Sequence, residues 1–504
     1  MVGIGGASDG WKNLFLGIWV IFRIFAVSKK YIHIMKKIVL FIVSLTVIAA
    51  AMAQENPQSK LEKQVHKLGT EVNDHESRLQ SIEKKLHVTP YGFIRNYFNY
   101  DSRNTYTVVG GEYNMIPYDE KWNMTEEQAE ASGLERADLN ATPKAQFLAI
   151  TTRLGFNIDG PDVLGAKSSA KIEADFGGFS TNNMVLRIRH AYLKLNWDNE
   201  QGVKQELLAG QTWHPLSGDI MPEVLGMAAG APFRAHSRTP QLRYIFSSGK
   251  LGFTAAALYQ LQYMYNGPSY ANGTFTSAAS TSFANNAMVP EFFLGVQYKD
   301  EHVYTQLGTT CQTLRPRYFG VKDGYQVPVK ELMTSYTPTF YFQYGNGLFS
   351  AKFRTMLAQN TSHVNQLNGY AVTNVLEDGS WEYAPIKATI SYLDFAYGKK
   401  YRANLFIGYM KNLGAGQELY NFGNETLAKY YVYMKGGDNF TNLNSVYRIA
   451  PSISYNLPHF NLGLEYEWTA CTYGDQAPDG SIFLNDNLHQ VSNHRICALI
   501  KYNF

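Results

Sequence analysis

The sequence predicts an all-β protein, a 16-stranded antiparallel transmembrane β-barrel preceded by a coiled-coil helix. Three observations lead to this fold class. Most segments after residue 90 alternate between apolar and polar residues, which is the period of a strand that meets two different environments. The connections between these segments are alternately short and long. A heptad pattern occupies only the stretch before the first segment.

The N-terminal 53 residues have the layout of an exported protein. Residues 35–53 begin with Met-Lys-Lys, continue with an apolar run and end with Ala51 and Ala53 in an A-x-A arrangement, which predicts a cleaved signal peptide. Residues 1–34 are then an incorrectly assigned upstream extension or, alternatively, a membrane anchor. Residues 1–53 carry six basic residues and one acidic residue, so their removal changes the formal net charge from +3 to −2. This removes the basis for a nucleic-acid partner.

The segment 54–89 is predicted to form a coiled coil. Its apolar residues repeat in alternating steps of four and three, as in the a/d seam of a heptad repeat. The alternative is a lone amphipathic helix, but the narrow stripe favours a coiled coil and therefore an oligomer. The polar seam residue His75 is expected to set register or oligomer state. The predicted seam is Leu61, Val65, Leu68, Val72, His75, Leu79, Ile82 and Leu86.

The alternating segments predict a barrel over residues 90–504. Many have the roughly 9–11 residues that a tilted strand needs to cross a bilayer. The predicted strands are 91–100, 145–158, 168–177, 185–197, 203–212, 240–247, 250–262, 290–299, 301–310, 337–345, 348–359, 386–398, 401–411, 446–456, 459–470 and 492–504.

The connections predict how the barrel is oriented. Short turns such as "SSGK" and "KDE" join pairs of strands, and polar loops such as 101–144 and 412–445 lie between the pairs. Outer-membrane barrels have short periplasmic turns and long external loops. An even number of strands puts both termini, and the coiled coil, in the periplasm. We therefore expect the outer membrane of a Gram-negative bacterium as the location, with lipid and lipopolysaccharide as neighbours.

Apolar and charged residues fall on opposite faces of the predicted strands. In 145–158, Leu148, Ile150 and Leu154 share one face, and Arg153 lies on the other. Since Arg or Lys against hydrocarbon costs about 2–4 kcal/mol at the bilayer midplane, the charged face is expected to point inward. A wet interior in turn predicts a channel.

The chain ends with the alternating segment "RICALIKYNF", which puts Tyr502 and Phe504 on its apolar face. A terminal Phe with an aromatic residue two positions earlier resembles the C-terminal signal of bacterial outer-membrane barrels. This strand must pair with segment 91–100, because lipid does not tolerate an open sheet edge.

Parity places an excess of basic side chains inside the predicted barrel. Four acids share the inward parity: Glu173, Asp175, Glu465 and Glu467. A basic interior predicts a pore that attracts anions; the alternative is that these charges only pair with one another. The predicted pore-lining residues on strands are Arg95, Arg153, Lys171, Arg187, Arg189, Arg243, Lys352, Arg354, Lys387, Arg402, Arg448, Arg495 and Lys501.

The loop at 213–239 differs from the other long loops because it is rich in Gly, Ala, Pro and Met. We expect it to fold inward and narrow the pore, with Arg234, His236, Arg238 and Arg243 at the constriction; the alternative is an ordinary exterior loop. Arg suits carboxylates, which it binds in a bidentate manner. The prediction is passive uptake of small hydrophilic, preferably anionic solutes, without enzymatic activity, cofactor or metal.

Several motifs resemble the DcaP-like family of trimeric outer-membrane porins, and a Bacteroidetes-type member in particular. They are "KIEADF" (171–176), "LRIRHAYLKLNW" (186–197), "LLAGQTWHPL" (207–216) and "APFRAHSRTPQLRY" (231–244). The resemblance implies sixteen strands, a homotrimer and uptake of small anionic solutes, including dicarboxylates. The basic residues that lie within these matched motifs, and to which the resemblance applies, are Arg187, Arg189, Arg238 and Arg243.

Two other functions remain open from the sequence. One is a non-conducting outer-membrane barrel that acts as an adhesin or structural protein. The other is a hydrolase at the barrel rim, for which His190, His214 and His236 exist without a nucleophile motif such as G-x-S-x-G. The three cysteines lack CxxC spacing, and a Cys311–Cys471 bridge is only weakly indicated.

Overall fold

The computed structural model describes residues 67, 69, 70 and 86–504, apart from 109–112, 181–182, 219–220, 227–229, 272–273, 421–441 and 476–485. The chain divides into two compact units, Met1–Val88 and Thr89–Phe504. The predicted signal peptide and upstream extension lie outside the described residues, and so does the predicted seam except for the exposed Leu86. Within the described part, no helix is long and apolar enough to cross a lipid bilayer.

Across the described residues, sixteen antiparallel strands form one closed barrel, as predicted. Each strand pairs with the next, and the second is interrupted once. The strands are β1 (His87–Asp101), β2 (Lys144–Leu148 and Arg153–Asp159), β3 (Lys167–Ser180), β4 (Asn183–Asp198), β5 (Val203–Trp213), β6 (Arg238–Ser248), β7 (Leu251–Leu258), β8 (Glu291–Lys299), β9 (Val303–Leu314), β10 (Met333–Gly345), β11 (Phe349–Gln359), β12 (Lys387–Gly398), β13 (Tyr401–Gly414), β14 (Leu443–Asn456), β15 (Phe460–Tyr473) and β16 (His489–Asn503).

The first and last strands close the barrel. β1 and β16 run antiparallel, with Phe93 opposite Asn503 and Asp101 opposite Arg495. Gly92 and Phe504 exchange both backbone hydrogen bonds at 3.0 Å. The predicted pairing of the C-terminal strand with segment 91–100 is therefore confirmed, and no sheet edge is left at this seam.

The connections at one end are tight turns, and those at the other end carry further structure. β3 ends at Ser180 and β4 begins at Asn183, so this connection is short and breaks the predicted alternation. The described loops contain helices α1 (Glu126–Ser132) and α2 (Ser282–Ala287) and the 3-10 helix Ser362–Val364. They also contain four hairpins, Thr105–Val108 with Tyr113–Pro117, Tyr265–Ala271 with Thr274–Ser280, Phe319–Lys322 with Tyr325–Pro328, and Tyr370–Val375 with Trp381–Pro385.

Exposure of alternate residues distinguishes the two faces of the wall. On β14, Ile449 is exposed and Arg448 is buried. On β16, Ile500 and Tyr502 are exposed, whereas Arg495 is buried. The apolar residues thus form the outer surface and the charged residues the inner one, because successive strand side chains point to opposite faces.

One predicted outer face is wrong. Leu148 and Ile150 are buried at 9% and 2% exposure, and Phe147 is instead 80% exposed. The cause is the interruption of β2, where the backbone N–H of Thr152 donates to the carbonyl of Ala149 at 3.1 Å. This turn changes the parity between the two halves of the strand, so an apolar pattern across it cannot be assigned to one face.

A β-bulge settles the parity of β4. Glu173 lies opposite His190, and Ala174 opposite Ile188, so Arg189 has no partner of its own. Both Arg189 and His190 are consequently buried. A bulge places two consecutive side chains differently from a regular strand, and here it points both of them into the barrel.

The interior is not uniformly wet. A cluster of buried apolar side chains contains residues of the wall, such as Tyr97, Met356 and Phe406, and residues of the loop after β5, such as Leu225 and Phe233. The loop thus supplies an apolar core inside the barrel, which alternation along the strands did not predict. The three cysteines are free thiols, so a Cys311–Cys471 bridge is not present.

Candidate pore constriction

The segment 214–237 between β5 and β6, here called the inward loop, contacts the inner face of distant strands. The carbonyl of Leu225 accepts hydrogen bonds from Arg95 Nη2 at 2.7 Å and from Tyr97 OH at 3.0 Å, both on β1. Its backbone N–H donates to Glu465 Oε2 on β15 at 2.7 Å. These contacts place Leu225 inside the barrel, against strands that are not neighbours of β5 and β6.

Buried arginines of the wall hold two further points of the inward loop. Arg448 Nη1 on β14 donates to the carbonyl of Ala231 at 2.8 Å, and Arg354 Nη1 on β11 donates to that of Ser217 at 3.1 Å. Arg448 Nη2 also donates to the carbonyls of Asn114 and Met115, which belong to a hairpin of the first long loop. Arg448 therefore joins two loops inside the barrel.

Two glycines of the wall make room for apolar side chains of the inward loop. A Cβ built on Gly463 of β15 would lie 2.5 Å from Leu225, and one built on Gly408 of β13 would lie 2.5 Å from the Phe233 ring. Such distances are far inside van der Waals contact, so a side chain at either position would displace the loop.

Aromatic and basic residues lie close together where the inward loop joins β5 and β6. The guanidinium carbons of Arg189, Arg234 and Arg238 lie 5.8, 5.1 and 5.0 Å from the ring centre of Trp213, within cation–π range. Arg234 Nη1 donates to His236 Nδ1 at 3.1 Å. This cluster brings together the basic residues that the sequence placed at the constriction, apart from Arg243.

A second cluster combines predicted bases with predicted acids. Arg187 binds Asp175 through two hydrogen bonds of 3.0 and 2.9 Å. Arg189 bridges Glu173 at 2.8 Å and Asp175 at 2.7 Å, and Arg153 lies 3.4 Å from Glu173. Guanidinium groups thus contact both oxygens of Asp175 and one oxygen of Glu173, whose Oε2 accepts a hydrogen bond from Tyr91 OH at 2.7 Å.

Several acids of the interior were not found from the sequence. Asp101 binds Arg495 through two hydrogen bonds of 2.8 Å. Glu223 of the inward loop pairs with Arg402 and Lys352. Asp394 and Glu291 are also buried. Asp394 was missed because the sequence assigned the parity of Lys387 to the interior, whereas the buried residues of β12 have the other parity. Glu223 lies in a loop, where alternation gives no direction.

One group of described residues has the composition of a metal site: His214, Glu291 and His363. Glu291 lies 3.2 Å from His214 Nε2 and 3.0 Å from His363 Nε2. The backbone N–H of Leu216 donates to His214 Nδ1 at 3.1 Å, so a neutral ring carries its proton on Nε2, toward Glu291. His363 Nε2 is hydrogen-bonded to Glu291 Oε2, whereas His214 Nε2 contacts Glu291 Oε1 without hydrogen-bond geometry; we assign no metal to this cluster.

Solved structures share this architecture. The outer membrane channel DcaP of Acinetobacter baumannii aligns with a TM-score of 0.51 and 16% sequence identity, over 84% of this chain and 98% of its own. The chain has the fold of an outer-membrane porin. The anion-selective porin from Comamonas acidovorans aligns with a TM-score of 0.45 and 11% identity, over 83% of this chain and all of its own. No protein-family model matches the sequence, and no curated protein does.

The basic residues inside this barrel differ in whether an acidic side chain compensates their charge. Arg243 lies 3.5 Å from Glu206, and Arg448 lies 3.5 Å from Glu467. Within the described ranges, three buried arginines form no ion pair with a carboxylate: Arg234, Arg238 and Arg354. Neutral groups contact them instead; Arg238, for example, donates to Gln262 Oε1 at 3.1 Å and Tyr263 OH at 3.3 Å.

Proposed function

We propose that this protein is a DcaP-like outer-membrane porin for the passive uptake of small hydrophilic solutes, preferably anions with carboxylate groups. The observation that carries the proposal is the set of three arginines without acidic partners, Arg234, Arg238 and Arg354, which lie in or against the inward loop. The porin fold supports a channel, and these charges support its preference for anions.

The preference for anions depends on how many guanidinium groups lack an acidic partner, not on the total number of basic residues. A guanidinium paired with a carboxylate contributes little field at a distance, whereas an unpaired one in a region of low dielectric attracts anions and repels cations. Arg153 and Arg187 pair with acids, but their side chains keep 17% and 12% exposure. They add guanidinium groups that a carboxylate solute can reach directly.

We extend the proposal to location and assembly. The exposed apolar outer face, as at Ile449 and Ile500, is suited to lipid, and lipopolysaccharide would surround the external end. The predicted coiled coil of residues 54–89 would stand in the periplasm and join three copies. Both termini of an even-stranded barrel lie at the same end, which supports this arrangement.

Ion selectivity tests the proposal. The purified protein is inserted into a planar bilayer, and the reversal potential is measured across a KCl gradient. We expect channels with a reversal potential of the sign that chloride preference gives, and competition from mono- and dicarboxylates for the chloride current. A preference for potassium would refute the anionic part of the proposal.

A non-conducting barrel is the second candidate, and the apolar cluster inside the barrel favours it. Phe233 and Leu225 fill space between the inward loop and the wall, and a barrel filled in this way could serve as an adhesin or structural protein. Such a protein would insert into the bilayer without producing conductance steps. Conductance therefore decides between the two functions.

A further inference from the structure

Glu223 of the inward loop sits in a set of donors that forms a receptor for a carboxylate. Arg402 of β13 donates from Nε and Nη2 to its two oxygens, the latter bond being 2.7 Å long. Ser350 Oγ and Lys352 Nζ of β11 donate to Glu223 Oε1 at 2.8 and 3.2 Å. One carboxylate thus receives a bidentate guanidinium, an ammonium and a hydroxyl.

The donors of the receptor all belong to the wall, although Lys352 Nζ also donates to the carbonyl of Met221 in the inward loop at 2.8 Å. Ser350 and Arg402 contact each other directly, with Arg402 Nη2 donating to Ser350 Oγ at 3.2 Å. They come from strands β11 and β13, which both pair with β12. Without Glu223, the two cations would face a single acid, Asp394, which lies 3.7 Å from Lys352. The wall alone therefore leaves one positive charge uncompensated.

Solvent reaches this ion pair more than the pair of Arg448, the wall arginine that binds the carbonyl of Ala231 in the inward loop. The side chains of Arg402 and Glu223 keep 22% and 26% exposure, whereas Arg448 and its acid Glu467 keep 2% and 12%. A partly solvated salt bridge is worth little on balance, so another carboxylate can compete with Glu223 for the same donors.

We propose that Arg402, Lys352 and Ser350 form a binding site for the carboxylate of a small organic acid, and that Glu223 is a competitor built into the chain. Because Glu223 is tethered, its effective concentration at the site is in the millimolar range typical of linked groups, or above it. A solute therefore binds weakly to the native protein and more tightly once Glu223 is neutralised. This inference deepens the proposed function and rests on it for its role in transport.

Calorimetric titration of the detergent-purified, full-length protein with succinate tests the site without requiring conduction. We expect the Glu223→Gln variant to bind succinate at least tenfold more tightly than the native protein, as removal of a tethered competitor predicts. Addition of Arg402→Gln to this variant should abolish the gain. Glu206→Gln is the matched control, because it removes another partly buried interior carboxylate, which pairs with Lys194 and Arg243.

The outcomes separate this inference from the porin proposal. If Glu223→Gln binds succinate no better than the native protein, or if Arg402→Gln leaves the gain intact, then Glu223 is only an anchor of the loop and the inference fails. Succinate binding in a protein that shows no conductance would instead refute the porin and keep the site. Circular dichroism and heat-modifiability in gels establish that each variant is folded.

Discussion

Leu225 of the inward loop lies directly over Gly463 of β15, with its Cδ1 at 2.5 Å from the position that a Cβ on Gly463 would take. The same residue accepts two hydrogen bonds from β1 and donates one to Glu465 of β15. The lack of a side chain at one wall position therefore fixes how deep the loop sits in the barrel.

Gly463→Ala is expected to push Leu225 away from the wall and to narrow the opening. Overpacking of this kind costs about 1–3 kcal/mol, and because Leu225 can move only into the interior, single-channel conductance should fall. Gly345→Ala is the control, since the nearest atom to its Cβ is 4.0 Å away. Equal conductance in the two variants would show that Leu225 does not limit the pore.

Neutralising two unpaired arginines should reduce anion preference. In the double variant Arg238→Gln and Arg354→Gln, we expect the reversal potential to move toward the value of a non-selective pore, because no carboxylate compensates either charge. Arg243→Ser should have a smaller effect, since Glu206 lies 3.5 Å from Arg243. The control is Lys250→Gln, in a turn, whose side chain is 63% exposed. An unchanged reversal potential in the double variant would remove these residues from the selectivity filter.

The buried pair Asp101–Arg495 at the barrel seam should be costly to break. Arg495→Ala leaves the Asp101 carboxylate buried without its bidentate partner, and we expect a loss of about 3–5 kcal/mol in the free energy of unfolding. Urea titration of the protein in lipid vesicles measures this. The double variant Asp101→Asn with Arg495→Gln should recover part of the loss, because no isolated charge remains. A loss of under about 1 kcal/mol in the single variant, as for exposed pairs, would contradict the prediction.

Charge on the outer face should be costly in proportion to depth. Ile449 lies near the middle of β14, so Ile449→Arg is expected to cost about 2–4 kcal/mol, as for Arg at the bilayer midplane. Tyr401, the first residue of β13, lies at a strand end, and Tyr401→Arg should cost about 0–1 kcal/mol. Urea unfolding in vesicles compares the two. Equal costs would mean that this face does not meet hydrocarbon.

The predicted coiled coil should control assembly but not folding of the barrel. Substituting Leu68→Asp and Leu79→Asp puts charge into two seam positions, which should convert trimers to monomers because a heptad seam must be apolar. Mass photometry gives the oligomeric state, and circular dichroism gives the strand content. Trimers that persist in this variant would assign assembly to the barrel wall.

The period-two alternation of the sequence was sufficient to predict the number, the order and the closure of the strands. Regular alternation identifies the faces of β14 and β16, where Ile449 and Ile500 are exposed and Arg448 and Arg495 are buried. Period-two alternation is a property of neighbouring residues, so it needs no knowledge of the rest of the chain. The closure of β1 on β16 followed because a barrel in lipid cannot leave an edge open.

The tertiary structure alone decided the irregular positions and the charge partners. The interruption of β2 turned Leu148 inward, and the bulge at Arg189 brought His190 inward as well. The sequence identified too few acidic residues in the interior. Glu223, for example, lies in a loop and contacts Arg402, which is 179 residues away along the chain. Which base meets which acid depends on register and loop path between distant segments, and no local pattern records either.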